Sequence, residues 1–243
     1  MPDLVALDRS KHKDLRVITR RGEDLGDRVH LVPVVASELS SLVLDYPVCF
    51  LKEDNTGQFG LYAILGFEAG ENLFLSGEQW EASYIPLHLR RQPFLVAQPP
   101  GNEAAQGDAQ AEGILTIDMA SQRIGSSQGE PLFTPEGEKS PFLEAVEKAL
   151  GELLIGARAT EALIRALLKN DLVESAQVNV EFASGEKRNF DGLYTVNASK
   201  LKSLSGDVLG EFHRRGYLLA CHLLIASLGQ MRGLIRRKER RAS

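Results

Sequence analysis

Apolar positions come in short runs broken by turn residues along the first half of the chain, and at helical spacing along much of the second. Residues 4–21 are mixed and polar, with Lys11-His12-Lys13-Asp14, and read as an extended arm carrying an edge strand at 15–19. Residues 31–36 are a β-branched run, after which Ser37 or Ser40 is placed to cap a short helix through Leu44. Tyr46-Pro47 opens a strand at 48–51, the cluster Glu53-Asp54-Asn55-Thr56-Gly57 is a turn, and 61–67 supplies the partner, so the spacing predicts a hairpin. A turn at Gly70-Glu71-Asn72 leads into Leu73-Phe74-Leu75. Residues 113–119 read as a buried strand, and Pro131-Leu132-Phe133 anchors a turn-rich stretch over 125–137. Residues 98–112 lack an apolar period and predict a mobile surface loop. Local pairings of this kind favour antiparallel sheets.

The pattern changes at Ser140-Pro141, a fair N-cap followed by a good first helical residue. Phe142, Leu143, Val146, Leu150, Leu153, Leu154, Leu163, Ile164, Leu167 and Leu168 then recur at helical spacing, weakened by Gly151 and Gly156. Strands follow at 178–182 and 190–196, joined by a turn at 184–187, and Asn197 or Ser199 caps a short helix. A last helix starts near Gly206-Asp207 and is apolar nearly all round over 217–228, which predicts a buried helix with Leu219 and Leu223 inside. The fold class is therefore α+β. A β-rich, mainly antiparallel part over 1–138 packs against a more helical part over 139–243 that ends in a long buried helix, as one compact unit.

Composition adds limits. With 43% hydrophobic and 25% charged residues the chain has the makings of a core, and a net charge of −5 argues against nucleic acid as a partner. Cys49 and Cys221 stand in apolar runs without Cys-x-x-Cys or zinc spacing and read as buried free thiols. No signal peptide is visible, and the run 217–228, interrupted by His222, falls short of the ~20 residues that cross a bilayer. The expectation is a cytoplasmic protein without a transmembrane segment; a C-terminal export signal stays open. The five histidines show no paired spacing, and neither a nucleophile elbow nor a phosphate or dinucleotide loop occurs. No catalytic residue, metal or cofactor is assigned. Glu68 and Glu71 read as solvated charges at a turn.

One stretch stands out as a binding candidate, Tyr84-Ile85-Pro86-Leu87-His88-Leu89-Arg90-Arg91-Gln92-Pro93-Phe94. Pro86 suits a first helical turn and Pro93 ends it, so Arg90 and Arg91 sit on one or two turns, aimed about 100° apart. One arginine is expected to pair with Glu38 or Glu71 as a structural ion pair. The other is expected to face a cleft edged by Trp80, Tyr84 and His88 and to take a small anionic ligand. The competing reading makes Trp80 and Tyr84 core edge and both arginines structural. The basic run at 236–241 either complements the helix dipole or is a docking patch for an acidic protein or an anionic membrane surface.

The order of motifs is itself informative. Leu7-Asp8 with His12 and Leu15, then Val32-Pro33-Val34-Val35-Ala36-Ser37-Glu38, Tyr46-Pro47-Val48 and Phe50 form one series. Gly70-Glu71-Asn72-Leu73-Phe74, Trp80, the Pro-bracketed arginines, Pro131-Leu132-Phe133 with Glu136-Gly137, Leu193-Tyr194 with Val196, His213-Arg214-Arg215-Gly216 and Ser227-Leu228-Gly229-Gln230 continue it. This series resembles the SapC family of bacterial proteins over nearly the whole chain, most specifically in the double-arginine stretch. The resemblance implies a link to surface-layer biogenesis, from which the family is named, or to nutrient uptake with TonB-dependent receptors. It transfers no catalytic residue. The leading function is a non-catalytic accessory or binding protein with a protein partner. The alternative is an enzyme, or enzyme subunit, acting on a small anionic or sugar-derived molecule and associated with a flavin-dependent halogenase-like system.

Overall fold

The computed structural model describes residues 2–97, 113–182, 185 and 187–242, so the loop expected over 98–112 lies outside it. These residues form an α+β protein in two compact units, each discontinuous in sequence: residues 1–27, 77–79 and 87–153, and residues 28–76, 80–86 and 154–243.

The first unit holds an antiparallel sheet in which Ile114–Asp118 lies between Leu4–Ala6 and Phe94–Ala97. The register pairs Leu4 with Asp118 and Phe94 with Ile117. The strand Arg16–Val17 is not an edge, as the sequence implied, because Ile124–Gly125 and Glu130–Pro131 flank it on both sides. Its partners are more than a hundred residues away, so no local pattern announces them. Val17, Phe94, Ile117, Leu132, Leu143, Val146 and Leu150 make one buried cluster. The last three come from the long helix Pro141–Lys169, which starts where Ser140 Oγ accepts a hydrogen bond from Leu143 N–H at 3.2 Å. That helix belongs to the first unit through Leu153 and to the second from Leu154.

The second unit is built on a five-stranded antiparallel sheet in the order Val173–Ser175, Leu193–Val196, Val48–Lys52, Phe59–Ile64, Leu31–Pro33. The expected hairpin is present, with Val48 opposite Ala63 and Lys52 opposite Phe59. Val48, Phe50 and Ala63 are fully enclosed, while the turn end of the hairpin, from Lys52 to Gly60, is exposed or half-buried. The strand expected over 178–182 is Val178–Glu181 and pairs with Lys187–Phe190, while Leu193–Val196 leaves that ribbon for the main sheet.

The C-terminal region divides at Gly216, whose φ of 74° lies in the left-handed region open to glycine. Gly206–Arg214 precedes it, and Tyr217–Ser227 runs through the 3-10 turn Leu228–Gln230 into Met231–Ala242. Ala220, Cys221, Leu224, Ser227, Met231 and Leu234 form its buried side. Leu219, expected inside, is 61% exposed, because a run that is apolar all round does not declare which side meets the core. Both cysteines are buried and free, and burial pushes their thiols up to about 12.

The long helix tolerates its two glycines for different reasons. A Cβ on Gly156 would lie 2.7 Å from Val35 Cγ2, whereas one on Gly151 would meet nothing within 4 Å. Val35 cannot easily yield: its N–H is held by Glu38 Oε2 at 2.9 Å, and the next amide, Ala36 N–H, donates to Thr160 Oγ1 at 2.8 Å. Gly156→Ala should therefore destabilise by about 1–3 kcal/mol through overpacking. Gly151→Ala should stabilise by about 0.5–1 kcal/mol through helix propensity. Urea midpoints of the two variants check both, and equal shifts of the same sign would refute the contact at Val35.

Candidate functional site

The residues expected around one cleft are distributed over the two units. Trp80 and Tyr84 belong to the second, and His88, Arg90 and Arg91 to the first.

In the second unit Trp80 and Tyr84 are members of a hydrogen-bonded chain. Trp80 Nε1–H donates to Tyr46 OH at 2.7 Å, Tyr46 OH donates to the Tyr84 carbonyl at 2.5 Å, and Tyr84 OH donates to Glu38 Oε1 at 3.1 Å. Glu38 Oε2 closes the chain on Val35 N–H. Tyr46 is fully buried, and burial raises its phenol pKa well above the usual value, so the chain stays neutral at its centre. The arrangement ties the 80–84 segment to the sheet.

The carboxylates proposed as partners of an arginine in the double-arginine stretch are occupied inside the second unit. Glu71 accepts Phe67 N–H at 2.7 Å and Lys238 Nζ at 2.5 Å, and Lys238 also reaches Glu68 at 3.0 Å. Glu71, read as a solvated charge, is thus largely covered and held by a lysine from the far end of the chain, while Glu68, reached by the same lysine, is exposed as expected. Arg237 pairs with Glu81 at 2.7 Å and covers the Phe74 ring at 4.5 Å, and Arg241 donates to the Leu75 carbonyl.

In the first unit the double-arginine stretch does split as the 100° step requires. The helix is one turn, Leu87–Arg90, and the Gln92–Pro93 bond after it is cis. Arg91 turns inward: Nη1 donates to the Phe94 carbonyl at 2.7 Å and Nε to His88 Nδ1 at 3.3 Å. His88 must be neutral there to accept. Burial first, and then the Arg91 charge, pull its pKa down to about 4. Arg90 turns outward and is exposed, with no hydrogen bond or ion pair among the described residues.

Arg90 lines a cavity of about 250 Å³ with Thr19, Arg21, Gln92 and Arg123 as its other polar walls. Ile18, Phe142, Val146 and two alanines of the long helix supply an apolar side. Three guanidinium groups line it, and no carboxylate does among the described residues. Asp27, outside the lining and fully buried, joins two of them: Arg123 Nη2 donates to Oδ2 at 2.8 Å and Arg21 Nη1 to Oδ1 at 3.1 Å. Asp27 also accepts Gly22 N–H at 2.9 Å. Arg21 further donates to the Leu89 carbonyl, and Arg123 Nη1 to the carbonyls of Ile18 and Arg20. Burial lowers the Arg21 pKa, Asp27 opposes this, and the Arg123 and Arg90 charges add to it. Two fully buried polar atoms of the lining residues, Arg123 Nε and Gln92 Oε1, have no hydrogen-bond partner among the described residues, and Arg123 is only 2% exposed. A larger depression of about 950 Å³, edged by Arg9, Lys13, Arg16 and Glu136, contains no such orphaned atom; Arg9 and Arg16 there donate to the Glu136 and Gly129 carbonyls. Among the described residues no cluster of metal-ligating side chains occurs.

Sequence reading reached Arg90 and missed Arg21, Asp27, Gln92 and Arg123. Asp27 and Arg123 are 96 residues apart, so no spacing announces the pair. The local signal within reach was Arg21 six residues before Asp27 in a polar turn.

No curated protein and no solved structure matches the chain. The SapC family model matches residues 7–234, nearly the whole length, and the chain belongs to the SapC family.

Proposed function

We propose that this SapC-family chain is a non-catalytic accessory protein that binds a small oxyanion, a carboxylate or phosphate on a compact apolar body, in the arginine cavity of its first unit. The observation that carries the reading is a cavity wall of three guanidinium groups, one of them the exposed Arg90 with no hydrogen bond or ion pair among the described residues, and no carboxylate among the described lining residues. An oxyanion is the acceptor that a guanidinium edge fits best. Arg90 supplies the exposed charge that no described residue pairs, and Arg91 with His88 sets the turn that presents it. Among the described lining residues none is a carboxylate, histidine, cysteine or lysine that could carry a proton through a reaction, which favours binding over turnover. The family resemblance supports a setting in surface-layer biogenesis or TonB-dependent uptake, with a protein partner, and the cytoplasm is the compartment we propose.

Isothermal titration with inorganic phosphate and with benzoate tests this. The parent should bind at least one probe, and Arg90→Gln should weaken that binding roughly tenfold or more, as loss of a charge-assisted hydrogen bond implies. Its urea midpoint should not move, since Arg90 is exposed and unpaired. A parent that binds neither probe, or a variant that binds as well as the parent, overturns the reading.

A further inference from the structure

Beyond the arginine cavity, the second unit carries an outward-facing strip along its C-terminal helix. We propose that this strip docks the protein peripherally on an anionic phospholipid bilayer. The strip has two halves in line along about 35 Å of helix. In the first, Leu219 is 61% exposed, Leu223 is half-buried, and His222 and Ala226 are exposed; their spacing of three and four puts them on one face. Exposed Leu44 stands at the end of this half, since Gln230 Nε2 donates to the Val43 and Leu44 carbonyls at 3.0 Å.

In the second half Arg232, Arg236 and Arg240 recur every four residues, all exposed. The basic residues between them are engaged: Arg237 with Glu81, Lys238 with Glu68 and Glu71, Arg241 with the Leu75 carbonyl. Arg232, Arg236 and Arg240 have no ion pair or hydrogen bond among the described residues. The run Tyr217–Arg241 is the one described helix long and apolar enough by composition to cross a membrane, with a mean hydropathy of 1.5 over its most apolar window and only 33% of that window buried. Its other face, however, belongs to a folded core through Cys221, Leu224, Ser227 and Leu234. Ser227 Oγ accepts Val48 N–H at 3.1 Å from the central sheet. A helix used on one side by the core offers the other side for lying on a surface rather than for spanning it.

Charge complementarity selects the occupant. The chain as a whole is net negative, so three unpaired arginines in a row are a local reversal of sign. A second copy docking through the same strip would set the arginines against arginines if parallel or against leucines if antiparallel, and in neither case would the strip supply a carboxylate. A lipid surface supplies phosphates for the arginines and an acyl boundary for Leu219 and Leu223, about two and a half to six turns away along the helix.

The test is cosedimentation of the full chain with phosphatidylcholine vesicles, with and without phosphatidylglycerol. Binding should require phosphatidylglycerol and be released by high salt. Joint replacement Arg232→Gln, Arg236→Gln and Arg240→Gln should weaken it roughly a hundredfold, about fivefold for each charge near the surface. Leu219→Ser should weaken it severalfold. All four sites are exposed, so urea midpoints should match the parent. Equal binding to neutral vesicles, retention through a high-salt and alkaline wash, or undiminished binding by the triple variant overturns the proposal. So does a dimer in light scattering that Leu219→Ser abolishes, which would assign the strip to a second copy.

Discussion

Asp27→Ala is expected to lower the unfolding free energy by about 3–5 kcal/mol, the largest single loss among the polar residues described. The carboxylate is fully enclosed and serves Arg21, Arg123 and the Gly22 amide together. A buried ion pair is not by itself strong support for stability, since apolar residues of like volume often do as well. Removing one side only is different, because two guanidinium groups then remain in a low-dielectric wall with nothing to neutralise them. Asp27→Asn keeps the shape and an oxygen acceptor but not the charge, and should lose more than half as much. Denaturant unfolding at neutral pH measures both. A loss below about 1 kcal/mol for Asp27→Ala would mean that Arg21 and Arg123 are solvated well enough to do without it.

The second large effect is acid sensitivity from His88. Its folded pKa of about 4 lies below the ordinary histidine value, so between these two the unfolded chain binds more protons than the folded one. Stability contributed by neutral His88 is therefore complete above about pH 6.5 and is lost as pH falls toward 4, by up to about 3 kcal/mol. Protonation also removes the acceptor that Arg91 Nε uses and places two positive charges side by side. His88→Gln has no proton to gain. Urea midpoints taken stepwise from neutral pH to about pH 4 should fall more steeply for the parent than for this variant across that window. Parallel curves would show that His88 does not titrate there.

How far the sequence disclosed this molecule depends on distance along the chain. The hairpin of Val48–Lys52 and Phe59–Ile64 and the helix start at Ser140-Pro141 rest on neighbours a few residues apart, and both were legible. The α+β class followed from such local features. The flanking of Arg16–Val17 by strands beyond residue 120 was not, nor the union of Asp27 with Arg123. Ion pairs are set by where the chain returns, and charge carries no period that forecasts this. The arginine pair shows both sides. Helix geometry correctly separated Arg91, turned inward, from Arg90, turned outward. The partner of Arg91 proved to be a neutral histidine three residues earlier and a backbone carbonyl, while Glu71 went to Lys238.

The central sheet of the second unit has a consequence in time. Val48–Lys52 has one neighbour made soon after it, Phe59–Ile64, and another, Leu193–Val196, made about 140 residues later. At the ~5–20 residues per second of synthesis, that second neighbour arrives roughly 7–28 s afterwards. The segments of the first unit, by contrast, are complete at Leu153. On the ribosome one unit is thus able to close while the other waits with an apolar strand open along one side, the kind of edge that invites pairing with another chain. Any product that stops before residue 193 keeps that side open permanently, so shortened chains should be recovered as aggregates even when their first unit is whole.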